Sequence, residues 1–92
     1  MNRRIHLIIH GNVHGVSFRS SARFQAKNLQ LTGWVRNNLN GTVEIVAEGE
    51  EEDLKELMRW CFRGPQGASV EKVESEWLSY KQEFSTFEVA FK

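Results

Sequence analysis

Apolar positions along the first half of the chain follow two rhythms. From Arg4 to His10, Ile5, Leu7 and Ile9 alternate with His6, Ile8 and His10, the two-residue period of a strand with one well-defined core face. The strand is predicted to end at Gly11, and Gly11-Asn12-Val13-His14-Gly15 reads as a short loop bracketed by glycines. The period then lengthens. Phe18, Ala22, Ala26 and Leu29 form one stripe of a helix predicted over Phe18 to Leu29, with Phe24 off the stripe. Ser17 is the expected N-cap, its hydroxyl accepting an early helical N–H. After Thr32-Gly33, Trp34 to Asn37 reads as a strand. Asn38-Leu39-Asn40-Gly41 is a turn carrying the Asn-Gly hairpin signal, and Val43, Ile45 and Ala47 give the return strand its inward face.

The second helix has sharper limits. Glu50, Glu51, Glu52 and Asp53 put acids in its first turn, where the helix dipole favours them. Leu54, Leu57, Met58 and Cys61 are spaced as one helical face, and Gly64-Pro65 stops the helix after Arg59 and Arg63. Val70 to Trp77 and Thr86 to Phe91 are two further strands, with Phe87, Val89 and Phe91 expected inward. The order strand, helix, strand, strand, helix, strand, strand predicts an α+β fold: two helices on one face of a mostly antiparallel four- to five-stranded sheet. This is the ferredoxin-like plan with an extra C-terminal strand.

Composition narrows the function classes. Ninety-two residues are expected to form a single domain over 1–92 with room for one cleft. Twelve Lys and Arg balance twelve Asp and Glu, which argues against a dedicated nucleic-acid binder. No apolar run is long enough for a membrane span, and no signal peptide is read at the N-terminus. The lone Cys61 cannot form an internal disulfide, and the reducing cytosol is the expected compartment. Cys61 falls on the buried stripe and is expected to be inert; Trp34, Trp60 and Trp77 are expected in the core or on its flanks. His6 and His10 lie roughly 13 Å apart along a strand, too far for one zinc ion, and no metal site is expected.

The best place for chemistry is the loop before the first helix. Its glycines let consecutive N–H groups converge, the helix adds its unpaired N–H groups and dipole, and Arg19 in the first turn can fork onto two anionic oxygens. Together they describe a site for a phosphate-sized anion. The same residues would also serve as a plain connection with a surface arginine, and Asn37, just before a hairpin, would also serve as an ordinary turn residue. The loop lacks the Lys and Ser/Thr of a nucleotide P-loop and the cysteine of a thiol phosphatase.

Gly11-Asn12-Val13-His14-Gly15-Val16-Ser17-Phe18-Arg19 resembles the signature loop of the acylphosphatase family, G-x-V-Q-G-V-x-F-R. Gly33-Trp34-Val35-Arg36-Asn37, followed by Gly41-Thr42-Val43, resembles that family's second signature. The resemblance covers essentially the whole chain. It implies a small, monomeric, cytosolic hydrolase of the ferredoxin-like fold, without metal or cofactor. Such an enzyme cleaves the carboxyl–phosphate bond of a small-molecule acyl phosphate to a carboxylate and inorganic phosphate. It further implies that Arg19 is the phosphate-binding catalytic arginine and that Asn37 positions the attacking water. Val13, His14, Gly15, Val16, Ser17, Phe18 and Arg19 are then the substrate-binding loop. His14 stands where the family pattern has Gln. If its side chain orders the loop, activity is expected to gain a pH dependence in the range where histidine titrates. Ser20 follows Arg19 where related modules of larger carbamoyl-transferring maturation proteins commonly have Pro, so a free-standing enzyme is expected.

Overall fold

In the computed structural model, which describes residues 1–91, seven elements follow in the predicted order. They are β1 (Asn2–Asn12), α1 (Phe18–Asn28), β2 (Thr32–Asn37), β3 (Val43–Glu50), α2 (Glu51–Arg63), β4 (Ser69–Leu78) and β5 (Phe87–Val89). The five strands form one sheet in the order β4-β1-β3-β2-β5. All neighbours are antiparallel except β2 and β5, which pair in parallel. This is the ferredoxin-like arrangement, with β5 added at the outer edge.

The alternation in the sequence becomes the core. Ile5, Leu7 and Ile9 of β1, Val35 of β2, Val43, Ile45 and Ala47 of β3 and Phe87 of β5 are buried on one face of the sheet. Phe18, Ala22 and Ala26 of α1 and Leu54, Leu57, Trp60 and Cys61 of α2 are buried with them. Burial pushes the Cys61 thiol well above its ordinary range, so it is unreactive at neutral pH. Met58, expected on the buried stripe, is only half-buried, and Trp60 takes the inner place instead. Phe24, off the predicted stripe, is exposed.

Four expectations need correction. First, β1 does not stop at Gly11 but runs through it, with a bulge against β4 between His10 and Gly11. Gly11 has φ +131°, and a Cβ there would overlap the carbonyl oxygen of Ser69, so only glycine permits the two backbones to approach this closely. Second, Glu50 is the N-cap of α2 rather than part of its first turn, which holds Glu51, Glu52 and Asp53. Third, Ser17 holds the N-cap position of α1, but its left-handed backbone (φ +61°) takes the hydroxyl away from the helix and it makes no capping bond. Fourth, β5 ends at Val89, and Phe91 is 79% exposed instead of facing inward. Ala90 still donates to the Val35 carbonyl (2.8 Å), but the ladder stops there and Phe91 leaves the sheet.

The opposite face of the sheet carries no helix. To reach β5 from β4 the chain must pass from one edge of the sheet to the other. Residues 79–86 make that crossing over this open face, above Glu48 of β3. The Glu48 carboxylate is fully buried, accepts the N–H groups of Lys81 (2.8 Å) and Glu83 (3.0 Å), and lies 3.5 Å from Arg4 Nε. Arg4 also pairs with Glu83 and lies under the Phe84 ring. Elsewhere on this face, Glu44 accepts from Arg36 (2.9 Å) and pairs with His6 (2.6 Å), and His10 pairs with Glu74 (2.8 Å).

Two predictions follow from this face. Glu48→Gln keeps the shape but removes the charge facing Arg4 and turns an amide N–H₂ toward backbone donors. It should cost about 2–4 kcal/mol in urea unfolding, and a change below about 0.5 kcal/mol would refute the pinning role. Burial opposes ionisation of Glu44, but the bonds to His6 and Arg36 outweigh it and hold its carboxyl below the ordinary value. A lowered folded-state value contributes stability above the unfolded-state pKa, which is lost as pH falls through the folded value. Glu44→Gln should therefore be destabilised at pH 7, and the gap to wild type should close on acidification below about pH 4.

Candidate active site

The loop between β1 and α1 is held at two points. Val13 is 1% exposed and Phe18 is 2% exposed, with the Phe18 ring 5.2 Å from that of Trp60. These two side chains fix where β1 leaves the sheet and where α1 begins. Between them the backbone is driven to the surface. Gly15 (φ +73°) and Ser17 (φ +61°) are both left-handed, so the chain turns sharply twice around Val16. A side chain at Gly15 would meet nothing within 4 Å; the backbone conformation alone demands glycine there. Ser17 serves through its carbonyl, which accepts from the Ser21 N–H (3.0 Å) and the Ser20 hydroxyl (3.3 Å). Among the described residues, no backbone N–H from His14 to Ser20 donates to another protein group. A run of unpaired donors leading into a helix N-terminus is a receptor for an anion.

Sheet order brings the other residues to this loop. β1 and β2 flank β3, both antiparallel to it, so they point the same way, and β5 is parallel to β2. Three strand ends therefore meet at one end of the sheet: the loop after β1, Asn37 at the end of β2, and Phe91 beyond β5. Together with α1 they enclose a cleft of about 460 Å³ lined by Val13, Gly15, Ser17, Arg19, Asn37 and Phe91 among others. Among the described residues Arg19 has no carboxylate partner. Its guanidinium instead stacks on the Phe91 ring, 5.1 Å from the centroid. An aromatic face steadies the cation without occupying its N–H donors, which a carboxylate would do. The Asn37 side chain makes no hydrogen bond among the described residues, and its amide is free toward the cleft.

His14 and the hairpin complete the rim. His14 Nε2 lies 2.9 Å from the Thr42 carbonyl oxygen, tying the loop to the β2–β3 hairpin. The hairpin is built as its asparagines suggest: Asn40 Oδ1 accepts from the Thr42 N–H (3.1 Å) and hydroxyl (2.7 Å), and Asn38 Nδ2 donates to Thr42 Oγ1 (3.0 Å).

Comparison with known proteins settles the family. The family model for acylphosphatase matches residues 5–89. The chain belongs to the acylphosphatase family. An acylphosphatase of Pelotomaculum thermopropionicum is 50% identical over 88 residues, covering 96% of each chain. The solved structure of an acylphosphatase from Coxiella burnetii matches with a TM-score of 0.92 at 42% identity, over 97% of this chain and 93% of that one. One from Bacillus subtilis matches with a TM-score of 0.93 at 28% identity, over 99% and 100%. The protein is accordingly an enzyme that hydrolyses acyl phosphates.

Of the predicted residues, Val13, Gly15, Ser17, Phe18, Arg19 and Asn37 line the cleft, His14 lines the hollow beside it, and Val16 lines neither. Val13 and Phe18 contribute as anchors, Val16 packs partly against the core, His14 is half-buried against the hairpin, and Gly15 and Ser17 are exposed. His6 and His10 lie on the open face of the sheet with carboxylate partners, away from the cleft. Two acylphosphatase rim residues were not singled out from sequence: Thr42, which receives His14, and Phe91, which supports Arg19. The alternation of Phe87, Val89 and Phe91 pointed inward, and only the end of the parallel ladder reveals the turn. Phe91→Ala should weaken competitive inhibition by inorganic phosphate about two- to fivefold, the scale of an exposed cation–π contact. Because the ring is largely exposed, thermal stability should barely change; an unchanged phosphate affinity would refute the support role.

Proposed function

We propose that the loop amides of residues 13–19 and the Arg19 guanidinium hold the phosphoryl group of the substrate, while Asn37 orients the attacking water. The observation that carries this reading is the convergence of an unpaired guanidinium, unpaired loop N–H groups and a free carboxamide on one cleft. The anion receptor suits a phosphoryl group in size and charge. Asn37 cannot act as a base at neutral pH, so its amide works by hydrogen bonding alone.

The reaction needs little more. A carboxylate is a good leaving group, so no strong general acid is required. The loose transition state of phosphoryl transfer calls for positioning and charge stabilisation. The water oxygen attacks phosphorus as the bond to the acyl oxygen breaks, and the carboxylate departs with the bonding pair. The water proton passes to a phosphoryl oxygen, so that a dianionic acyl phosphate and water yield a carboxylate and dihydrogen phosphate. Arg19 and the loop N–H groups meet the charge on the equatorial oxygens; neither metal nor cofactor enters. We further infer a single domain over residues 1–92 that works as a monomer on small molecules, not on nucleic acid. A lone cysteine without a disulfide partner suits the reducing cytoplasm.

The test is hydrolysis of benzoyl phosphate, followed by loss of its ultraviolet absorbance with excess chelator present. Arg19→Ala should lower kcat/KM on the order of 10³-fold or more; a loss under tenfold would remove Arg19 from its role. Asn37→Ala should lower kcat far more than it weakens inhibition by inorganic phosphate. Equal loss of both would place Asn37 on the anion or in the fold rather than on the water.

A further inference from the structure

His14 brings to the rim something that glutamine, the residue of the family pattern, cannot. The two ring nitrogens have different duties. Nε2 faces the Thr42 carbonyl oxygen at 2.9 Å, and a carbonyl only accepts, so Nε2 carries a proton. That carbonyl is held in place: it also accepts the Asn38 N–H (2.8 Å), and Thr42 is buried and fastened through its hydroxyl to Asn40. Nε2–H donates to that carbonyl whether the imidazole is neutral or charged, and more strongly when charged. The second proton goes to Nδ1. His14 can therefore gain a positive charge with no loosening of the loop it anchors. His14, Arg19 and Asn37 line one hollow of about 340 Å³ that adjoins the main cleft and shares Arg19, Asn37 and Phe91 with it.

We propose that His14 is a second anion-recognising residue of this site: charged, it adds to the field of Arg19 and tightens the hold on a phosphate-like dianion, and neutral, it leaves only the tether to Thr42. The proposal rests on the reading that Arg19 and the loop bind the phosphoryl group. The groups that face His14 are few. Arg19 on α1 is cationic at every relevant pH. The hairpin presents Asn37, Asn38 and Leu39, and the chain beyond β5 presents Ala90 and Phe91, none of which titrates. The nearest carboxylate in the hairpin sequence, Glu44, is engaged by His6 and Arg36 on the open face. Among the described residues no carboxylate lines the hollow. The consequence is functional: a charged His14 would tighten the hold on an anion whose own charge stays fixed.

The probe is inorganic sulfate, a dianion whose own charge is constant from pH 5 to pH 8, used as a competitive inhibitor of benzoyl phosphate hydrolysis. Wild-type affinity for sulfate should rise about three- to tenfold from pH 8 to pH 5, the effect of one added, partly screened charge lining the same hollow as Arg19. His14→Gln keeps a donor for Thr42 and cannot become charged; its affinity should stay within about twofold across the range. His14→Ala, which loses both tether and charge, should bind more weakly than His14→Gln at every pH and be equally flat. A flat wild type, or a His14→Gln profile as steep as wild type, overturns the proposal and leaves the anion site standing. No competition by sulfate at any pH, in protein that still turns over benzoyl phosphate, overturns the anion site and the role of His14 together.

Discussion

A carboxylate with no solvent contact decides how this chain closes. Glu48 sits in the middle of the sheet, and a crossing segment passes over it from one edge to the other. Left unpaired, a buried charge would cost several kcal/mol. Two backbone N–H groups and the Arg4 guanidinium satisfy it, and the N–H groups belong to the crossing segment itself. The segment is thus fastened where its path is otherwise unconstrained by any helix. Everything downstream follows from that placement: β5 reaches the free edge of β2, α1 meets it through the Arg23 bond to the Phe87 carbonyl (3.2 Å), and Phe91 arrives under Arg19.

The cleft end of the molecule shows the opposite treatment of polar groups. Where Glu48 is saturated, the loop N–H groups, the Arg19 guanidinium and the Asn37 amide have no hydrogen-bond partner among the described residues. Such groups would be unfavourable in the core; on a solvated rim they cost little and stay ready for a ligand. Rigidity comes from elsewhere: from Val13 and Phe18 in the core, from His14 on Thr42, and from an aromatic ring that supports a cation without taking up its donors. The cleft is ordered by groups that leave these donors free.

Much of this was legible in the sequence, for a physical reason. β1, β3 and both helices bury faces that are periodic within a single element, so local spacing reports them. Residue type and spacing made Arg19 and Asn37 candidates but left a plain loop and an ordinary turn equally open; only the family resemblance singled them out. The cleft they line was legible only through the topology, which brings parallel strand ends together. What escaped depends on contacts between distant segments. The bulge at Gly11 exists because β4 lies against it. Glu48 alternates with Ile45 and Ala47 and so reads as a surface residue; its burial is made by residues 79–86, which have no period. Ser17 has the right chemistry for a cap, but the two sharp turns that expose the loop amides take its hydroxyl away from the helix.

The added strand also bears on how molecules of this protein meet one another. Without β5, β2 would offer an open row of backbone donors and acceptors, with Trp34 and Val35 beside it, to the strands of other molecules. Three residues, Phe87 to Val89, occupy that row. The other edge is guarded differently: β4 carries the exposed charges Glu71, Lys72, Glu74 and Glu76, which discourage edge-to-edge pairing. Glu48, by holding the crossing segment that delivers β5, thereby also closes that edge of the sheet.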